Sequence, residues 1–262
     1  MQSLKSGSEV IHFDDRGPKE DFAIVFLNSL GTDFRVWDKL LDVLGDRFRT
    51  VRMDKRGHGL STNYKDDISI ESLAKDVSVL VDSLNLKNIC VVGLSIGGLI
   101  ALELIRQRPN LCNKLILSDT APKIGSENMW AERIKRVQEG GIEAISDDIL
   151  ARWFSNEFLK NKTVELQMWR SMLTRTTKSG YIGCCEAISQ CDLTEQAKLI
   201  NIPTLVIVGD EDGSTPVNLV NDAANLIDGS IFKVIKKAGH LPCVEQPNEV
   251  ASIFLEFLEN NT

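Results

Sequence analysis

The sequence predicts an α/β fold, a mostly parallel, doubly wound sheet interrupted once by an inserted helical cap. Three observations carry this. Short apolar runs, such as Phe22–Leu27, Ile89–Val92 and Thr204–Val208, suit strands buried on both faces of a parallel sheet. Segments of helical periodicity alternate with them, as right-handed crossovers require. From about Ile124 to Asp192 the alternation stops, and only helical patterns remain.

Taken in order, Val10–Phe13 reads as the first strand and Gly17–Asp21 as a turn. Phe22–Leu27 is the next strand, ending at Asn28-Ser29-Leu30-Gly31. A helix follows around Val36, Trp37, Leu40, Leu41 and Leu44, then a short strand, Arg49–Met53. Asp54–Ser61 is a polar loop punctuated by glycine. Ser69–Leu84 is helical, because Ile70, Leu73, Ala74, Val77, Leu80, Val81 and Leu84 recur at spacings of three and four. Ser69 can cap it, although Ser69-x-x-Ser72 falls short of the usual capping box. The Ile89–Val92 strand leads through Gly93–Gly97 into a helical pattern from Gly98 to Leu104. Lys114–Ser118 is another buried strand, ending at Asp119-Thr120-Ala121-Pro122.

The cap comes next. Trp130–Val137, Ile142–Phe154, Lys162–Leu173 and Tyr181–Ile188 all read as helices, and Trp130, Trp153 and Trp169 lie among them. Strand and helix then resume: Thr204–Val208, a helix from Val217 to Leu226, Ile231–Ile235, and a closing helix from Asn248 to Leu258. The expected organisation is a core formed by residues 1–122 and 193–262, with the cap at 123–192.

Composition excludes several functions. The chain has 262 residues and a formal charge of −7, with no basic block to offset it, which argues against nucleic acid as a partner. No apolar run is long enough to span a bilayer, and Met1–Gly7 lacks the apolar core of a signal peptide. Cys90, Cys112, Cys184, Cys185, Cys191 and Cys243 form no C-x-x-C pair, so neither a metal site nor a redox couple is expected. Cys90 reads as a small core residue, and the expected setting is the reducing cytoplasm.

Gly93-Leu94-Ser95-Ile96-Gly97 carries the chemistry. A strand that ends abruptly in a helix needs a sharp turn, and glycines on either side keep side chains out of it. Such a turn raises the Ser95 hydroxyl above the sheet and sets the Ile96 N–H at a helix start, without an intrahelical partner. A serine hydroxyl needs a base to take its proton. Of the three histidines, His12 lies in the first strand, His58 in a loop, and His240 after the final strand. His240 is the expected general base. Asp212, after the Thr204–Val208 strand, is the expected acid, with Asp210 and Asp119 as alternatives. The order serine, acid, histidine along the chain, each beyond a strand end, is that of a serine-hydrolase triad on a parallel sheet. An oxyanion hole would use the N–H of Ile96 and one from the loop after Phe22–Leu27, assigned to Leu30.

These residues resemble the α/β-hydrolase fold superfamily over essentially the whole chain: G-L-S-I-G-G, D-K-R-G-H-G-L-S and A-G-H-L-P. Asn28-Ser29-Leu30-Gly31-Thr32-Asp33 with Trp37, Arg56–Ser61, Trp130-Ala131-Glu132-Arg133-Ile134 and Gly180-Tyr181 resemble the 3-oxoadipate enol-lactonase family more narrowly. Cys185, Ala187-Ile188 and Asp192-Leu193 fit that pattern too. Many such hydrolases carry His-Gly where this chain has Asn28-Ser29. The resemblance implies opening of 3-oxoadipate enol-lactone to 3-oxoadipate, a late step of aromatic catabolism, with no metal and no organic cofactor. The substrate is a small lactone that carries a carboxylate. Arg133 and Trp130, three apart on one helix, could hold that carboxylate and cover the ring, with Asn28, Ser29 and Trp153 as further contacts. Asp54, Arg56 and His58 are expected to brace the neighbouring loop. The triad alone leaves open a carbon–carbon bond hydrolase, a general carboxylesterase or a perhydrolase, and a ligand receptor that retains the triad. Rapid multiple turnover would exclude the receptor.

Overall fold

Eight strands form one sheet in a computed structural model that describes residues 1–19, 22–63 and 68–260. They are β1 (Gln2–Ser6), β2 (Glu9–Arg16), β3 (Phe22–Leu27), β4 (Arg49–Met53), β5 (Asn88–Leu94), β6 (Cys112–Ser118), β7 (Thr204–Gly209) and β8 (Ile231–Ile235). Their order across the sheet is β1-β2-β4-β3-β5-β6-β7-β8. From β4 to β8 all pairs are parallel, while β2 runs antiparallel to both β1 and β4. The apolar runs occupy the middle: Val25 of β3 sits between Val51 of β4 and Val91 of β5, and all three are wholly buried. Burying one such side chain stabilises by roughly 1.5–3 kcal/mol, which is why these strands tolerate no polar alternation.

The predicted core helices are present as α1 (Asp38–Leu44), α2 (Ile70–Ser83), α3 (Ile96–Gln107), α10 (Val217–Asn225) and α12 (Pro247–Asn260). Between β6 and β7 the described chain makes α4 (Glu127–Gly140), α5 (Ser146–Trp153), α6 (Asn156–Asn161), α7 (Thr163–Thr174), α8 (Lys178–Ser189) and α9 (Thr194–Ala197). A short helix after β8, α11 (Pro242–Glu245), completes the set. Among the described residues no helix is long and apolar enough to cross a membrane.

Several details differ from the sequence reading. Gln2–Ser6 carries no strong apolar pattern, yet it pairs with β2 as an edge strand, where backbone pairing rather than burial holds it. The helix after the serine begins at Ile96, two residues before the expected Gly98. Ile142–Ile145 is a tighter 3-10 turn ahead of α5, and α6, α9 and α11 are too short to leave a periodic signal. Ser69 and Ser72 do form a reciprocal capping box: Ser72 N–H donates to Ser69 Oγ at 3.1 Å, and Ser69 N–H to Ser72 Oγ at 3.0 Å. A serine at the third helical position can reach back as a glutamate does. Glu20 and Asp21 of the expected turn lie outside the described residues.

Candidate active site

Ser95 stands where β5 ends and α3 begins. Its φ of 57° and ψ of −120° put a non-glycine residue in a conformation that costs roughly 1–3 kcal/mol, held by the surrounding structure. The turn is tight enough that a Cβ on Gly93 would collide with Gly97 O, and one on Gly97 with Leu27 O. Two bonds, one from the last residue of β6 and one from just beyond it, steady the serine backbone. Ser95 N–H donates to Ser118 O at 3.0 Å, and Thr120 Oγ1 donates to Ser95 O at 2.7 Å.

His240 and Asp212 meet beside it. His240 Nδ1 lies 2.8 Å from Asp212 Oδ2, both residues being buried. Asp212 also accepts from Ser214 N–H at 2.7 Å, Thr215 N–H at 3.1 Å and Thr215 Oγ1 at 2.7 Å. Burial pulls its pKa up, but the charge and hydrogen bond of His240 and the donors from Thr215 and Ser214 outweigh it, so the carboxyl sits below its ordinary range. The alternative acids stand elsewhere. Asp210 faces Ala238 N–H at 3.4 Å and Lys236 Nζ at 3.6 Å, bracing the ends of β7 and β8. Asp119 is wholly buried behind Asp212, and its burial and that neighbouring carboxyl hold it well above the carboxylate range.

The loop Asn28–Thr32 is pinned from beneath by the loop Asp54–Ser61. Lys55 Nζ donates to Ser29 O at 2.5 Å, with Thr32 O at 3.3 Å and Asn28 O at 3.4 Å. Burial pushes the Lys55 pKa down to about 8. Gly31 N–H donates to His58 Nε2 at 3.0 Å, while His58 Nδ1 lies 2.9 Å from Arg56 O. That pairing requires a neutral imidazole, and burial together with the Lys55 charge keeps the His58 pKa well below its usual value. Arg56 in turn pairs with buried Asp76 at 2.6 Å, and Asp54 lies 2.7 Å from His12 Nδ1 and accepts from Phe34 and Leu60 N–H. Thus Asp54, Arg56 and His58 are bracing groups. Thr32 N–H turns back to Ser29 O, so neither loop bond just described uses the Leu30 N–H.

Ser29, Leu30, Ser95, Trp130, Arg133, Trp153, Tyr181 and His240 line one cavity beneath the α4–α8 helices. The sequence reading named half of its wall as site residues: Ser29, Leu30, Ser95, Trp130, Arg133, Trp153 and His240. Asn28 is the exception: it is 2% exposed, and its Nδ2 is spent on Thr32 O at 2.6 Å, inside the loop rather than in the cavity. Trp130 Nε1 donates to Ile124 O at 2.7 Å, and the Arg133 guanidinium lies 4.6 Å from the Trp130 ring centroid. Burial raises the pKa of the Tyr181 hydroxyl, against the nearby Arg133 charge. Arg152 lines the cavity too and was missed. Its sequence signal was its place beside Trp153 on a predicted cap helix. Its carbonyl accepts from Gly213 N–H at 3.3 Å, which ties α5 to the loop that carries Asp212. A roomier cleft of about 610 Å³, lined by His12, Phe34 and Trp169 among others, contains neither Ser95 nor His240.

Residues 23–247 match the profile of the alpha/beta hydrolase fold family. The chain belongs to that family. Within it, the chain is 34% identical over 248 residues to 3-oxoadipate enol-lactonase 1 of Acinetobacter baylyi, covering 93% of this chain and 91% of that protein. It is 31% identical over 247 residues to 3-oxoadipate enol-lactonase 2 of the same organism, at 94% and 91% coverage. The crystal structure of the enol-lactonase from Burkholderia xenovorans superimposes with a TM-score of 0.92 at 31% identity, covering 98% of this chain and 99% of that one. As an alpha/beta hydrolase, the chain shows the family's parallel sheet with Ser95, Asp212 and His240 all following strands.

Proposed function

We propose that the protein is a serine hydrolase that opens 3-oxoadipate enol-lactone to 3-oxoadipate, with Ser95 as nucleophile, His240 as base and Asp212 as its acid. The single observation that carries this reading is the buried Asp212–His240 pair, 2.8 Å apart, in the same cavity as Ser95. With Nδ1 held by Asp212, His240 keeps Nε2 to accept the serine proton. Attack on the lactone carbonyl places negative charge on its oxygen, which the N–H groups of Ile96 and Leu30 would stabilise. Ring opening expels an enolate, and His240 returns the proton as the enol becomes a ketone. Water activated by His240 then frees the acid from Ser95.

The cap supports a carboxylated substrate. The protein is acidic overall, yet Arg133 and Arg152 both reach the cavity beside Trp130 and Trp153. A guanidinium can grip a carboxylate through two bonds, and the indole of Trp130 covers a flat ring. The cavity is about 40 Å³ in this arrangement, room for a few waters and far below the roughly 300–1,000 Å³ of a ligand pocket, so helices over residues 123–192 act as a cap that opens to admit the lactone. Six free cysteines, five of them buried, support a reducing cytoplasmic setting.

The test is turnover of the purified protein on the enol-lactone beside neutral aryl esters, with Ser95→Ala and His240→Ala in parallel. The reading expects a strong preference for the lactone and loss of turnover in both variants. Equal rates on neutral esters, or lactone turnover by Ser95→Ala, would overturn it.

A further inference from the structure

Asp119 takes no part in the steps above, yet it stands against the groups that do. It follows β6, is wholly buried, and has a left-handed φ of 49°. Three bonds fix it there. Its N–H donates to Ile207 O at 2.9 Å, its Oδ1 accepts from Gly209 N–H at 2.9 Å, and its Oδ2 accepts from Ser118 Oγ at 2.6 Å. Its chain neighbours, Ser118 and Thr120, grip the backbone of Ser95 from both sides. Three consecutive residues thus join the serine turn to the strand that leads to Asp212.

A carboxyl oxygen of Asp119, one of Asp212 and a ring nitrogen of His240 all lie within 4.8 Å of one another. Both carboxyls are buried. The titratable groups that face Asp119 are Asp212 from the loop after β7, His240 from the loop after β8, and Cys243 from α11. Burial keeps the Cys243 thiol protonated, and its Sγ is 3.6 Å from Val36 O. Among the described residues no lysine or arginine pairs with Asp119. Two buried carboxylates this close do not both ionise; the pair keeps one proton. Asp212 holds the charge, because three donors from Ser214 and Thr215 and the His240 ring converge on it. The proton therefore resides on Asp119.

We propose that Asp119 is a positioning residue for the reaction: a neutral carboxylic acid that donates a hydrogen bond to Asp212 and so keeps that carboxylate on His240 Nδ1. This rests on the reading of Asp212 and His240 as the working pair. A single negative charge then faces the imidazolium. Two would hold its proton too tightly for return to the leaving group. The left-handed backbone suits Asp or Asn, so the amide variant can take the same place and still donate.

The test uses the full chain as wild type, D119N and D119A. Infrared difference spectra at pH 7 between wild type and D119N should contain the carbonyl stretch of a protonated carboxyl, a readout that a merely structural role would not produce. D119A should lower kcat by about 10–100-fold with KM little changed, the cost of one unmade hydrogen bond to a buried charged group. D119N should recover most of that loss and keep the wild-type acid limb of kcat/KM. Absence of the protonated-carboxyl band overturns the proposal, as does an acid limb in D119N displaced downward as removal of a negative charge would displace it. If D119A fails to fold, the infrared band and the D119N profile decide alone. His240→Ala separates the two readings: turnover retained there would remove the working pair, while the infrared band still reports the state of Asp119.

Discussion

Replacing Lys55 by methionine separates what the buried ammonium does for stability from what it does for turnover. The side chains are of similar length, so little cavity is expected. At pH 7 the variant loses the bonds to Ser29, Thr32 and Asn28 carbonyls, the nearest at 2.5 Å. A hydrogen bond from a charged donor is worth about 1.5–3 kcal/mol. The variant also sheds the cost of burying the charge. A Lys55 pKa of about 8 against the ordinary 10.5 puts that cost at about 3 kcal/mol. The two nearly cancel, so stability at pH 7 should change by no more than about 1–2 kcal/mol. The sign of the pH dependence follows from the lowered folded pKa. Between pH 8 and 10.5 the unfolded chain holds a proton that the folded chain has lost, so stability from this group rises with pH through that window. Urea denaturation at steps from pH 7 to pH 10.5 should therefore show wild type gaining about 3 kcal/mol on Lys55→Met. Turnover should not cancel. Ser29 O keeps its Thr32 donors, but the loop loses the tie that aims Leu30, and kcat on the lactone should fall by about 10–100-fold, less than full loss of an oxyanion donor. A variant with wild-type kcat, or a stability gap that stays flat across the window, would refute the reasoning.

Two further outcomes follow from the same geometry. Arg133→Gln and Arg152→Gln should each raise KM for the carboxylated lactone by about tenfold and leave rates on a neutral aryl ester within a few-fold, since each removes one charged partner from the cavity; equal effects on both substrates would count against the anion-anchor role. Gly97→Ala should destabilise the chain by several kcal/mol, because the added Cβ meets the backbone oxygen of Leu27, which cannot yield as a side chain could; a melting temperature within a degree or two of wild type would show that the elbow is looser than its packing implies.

The strand runs and the glycine elbow were legible because each depends on neighbours in sequence. Phe22–Leu27 can be buried only in the middle of a sheet, and Gly93 and Gly97 flank a turn that excludes side chains. The edge strand Gln2–Ser6 was not legible, since pairing along an edge leaves little mark on composition. Asn28 reads as a cavity residue because it sits beside Ser29. Only the bond to Thr32 O reveals that its amide turns inward. Arg152 is the converse case, a charged residue on a helix surface that the packing of α5 against Gly213 directs into the cavity.

The sequence by itself determined the order of the inner strands and the longer helices, the turn that exposes Ser95, and the chain order of Ser95, Asp212 and His240. Periodicity and steric punctuation act over a few residues, so they survive without a structure. Only the tertiary structure decided which of Asp119, Asp210 and Asp212 faces His240, and what Lys55 and His58 hold. Those choices depend on distances between loops that are tens of residues apart in the chain and meet only when the sheet brings its strand ends together.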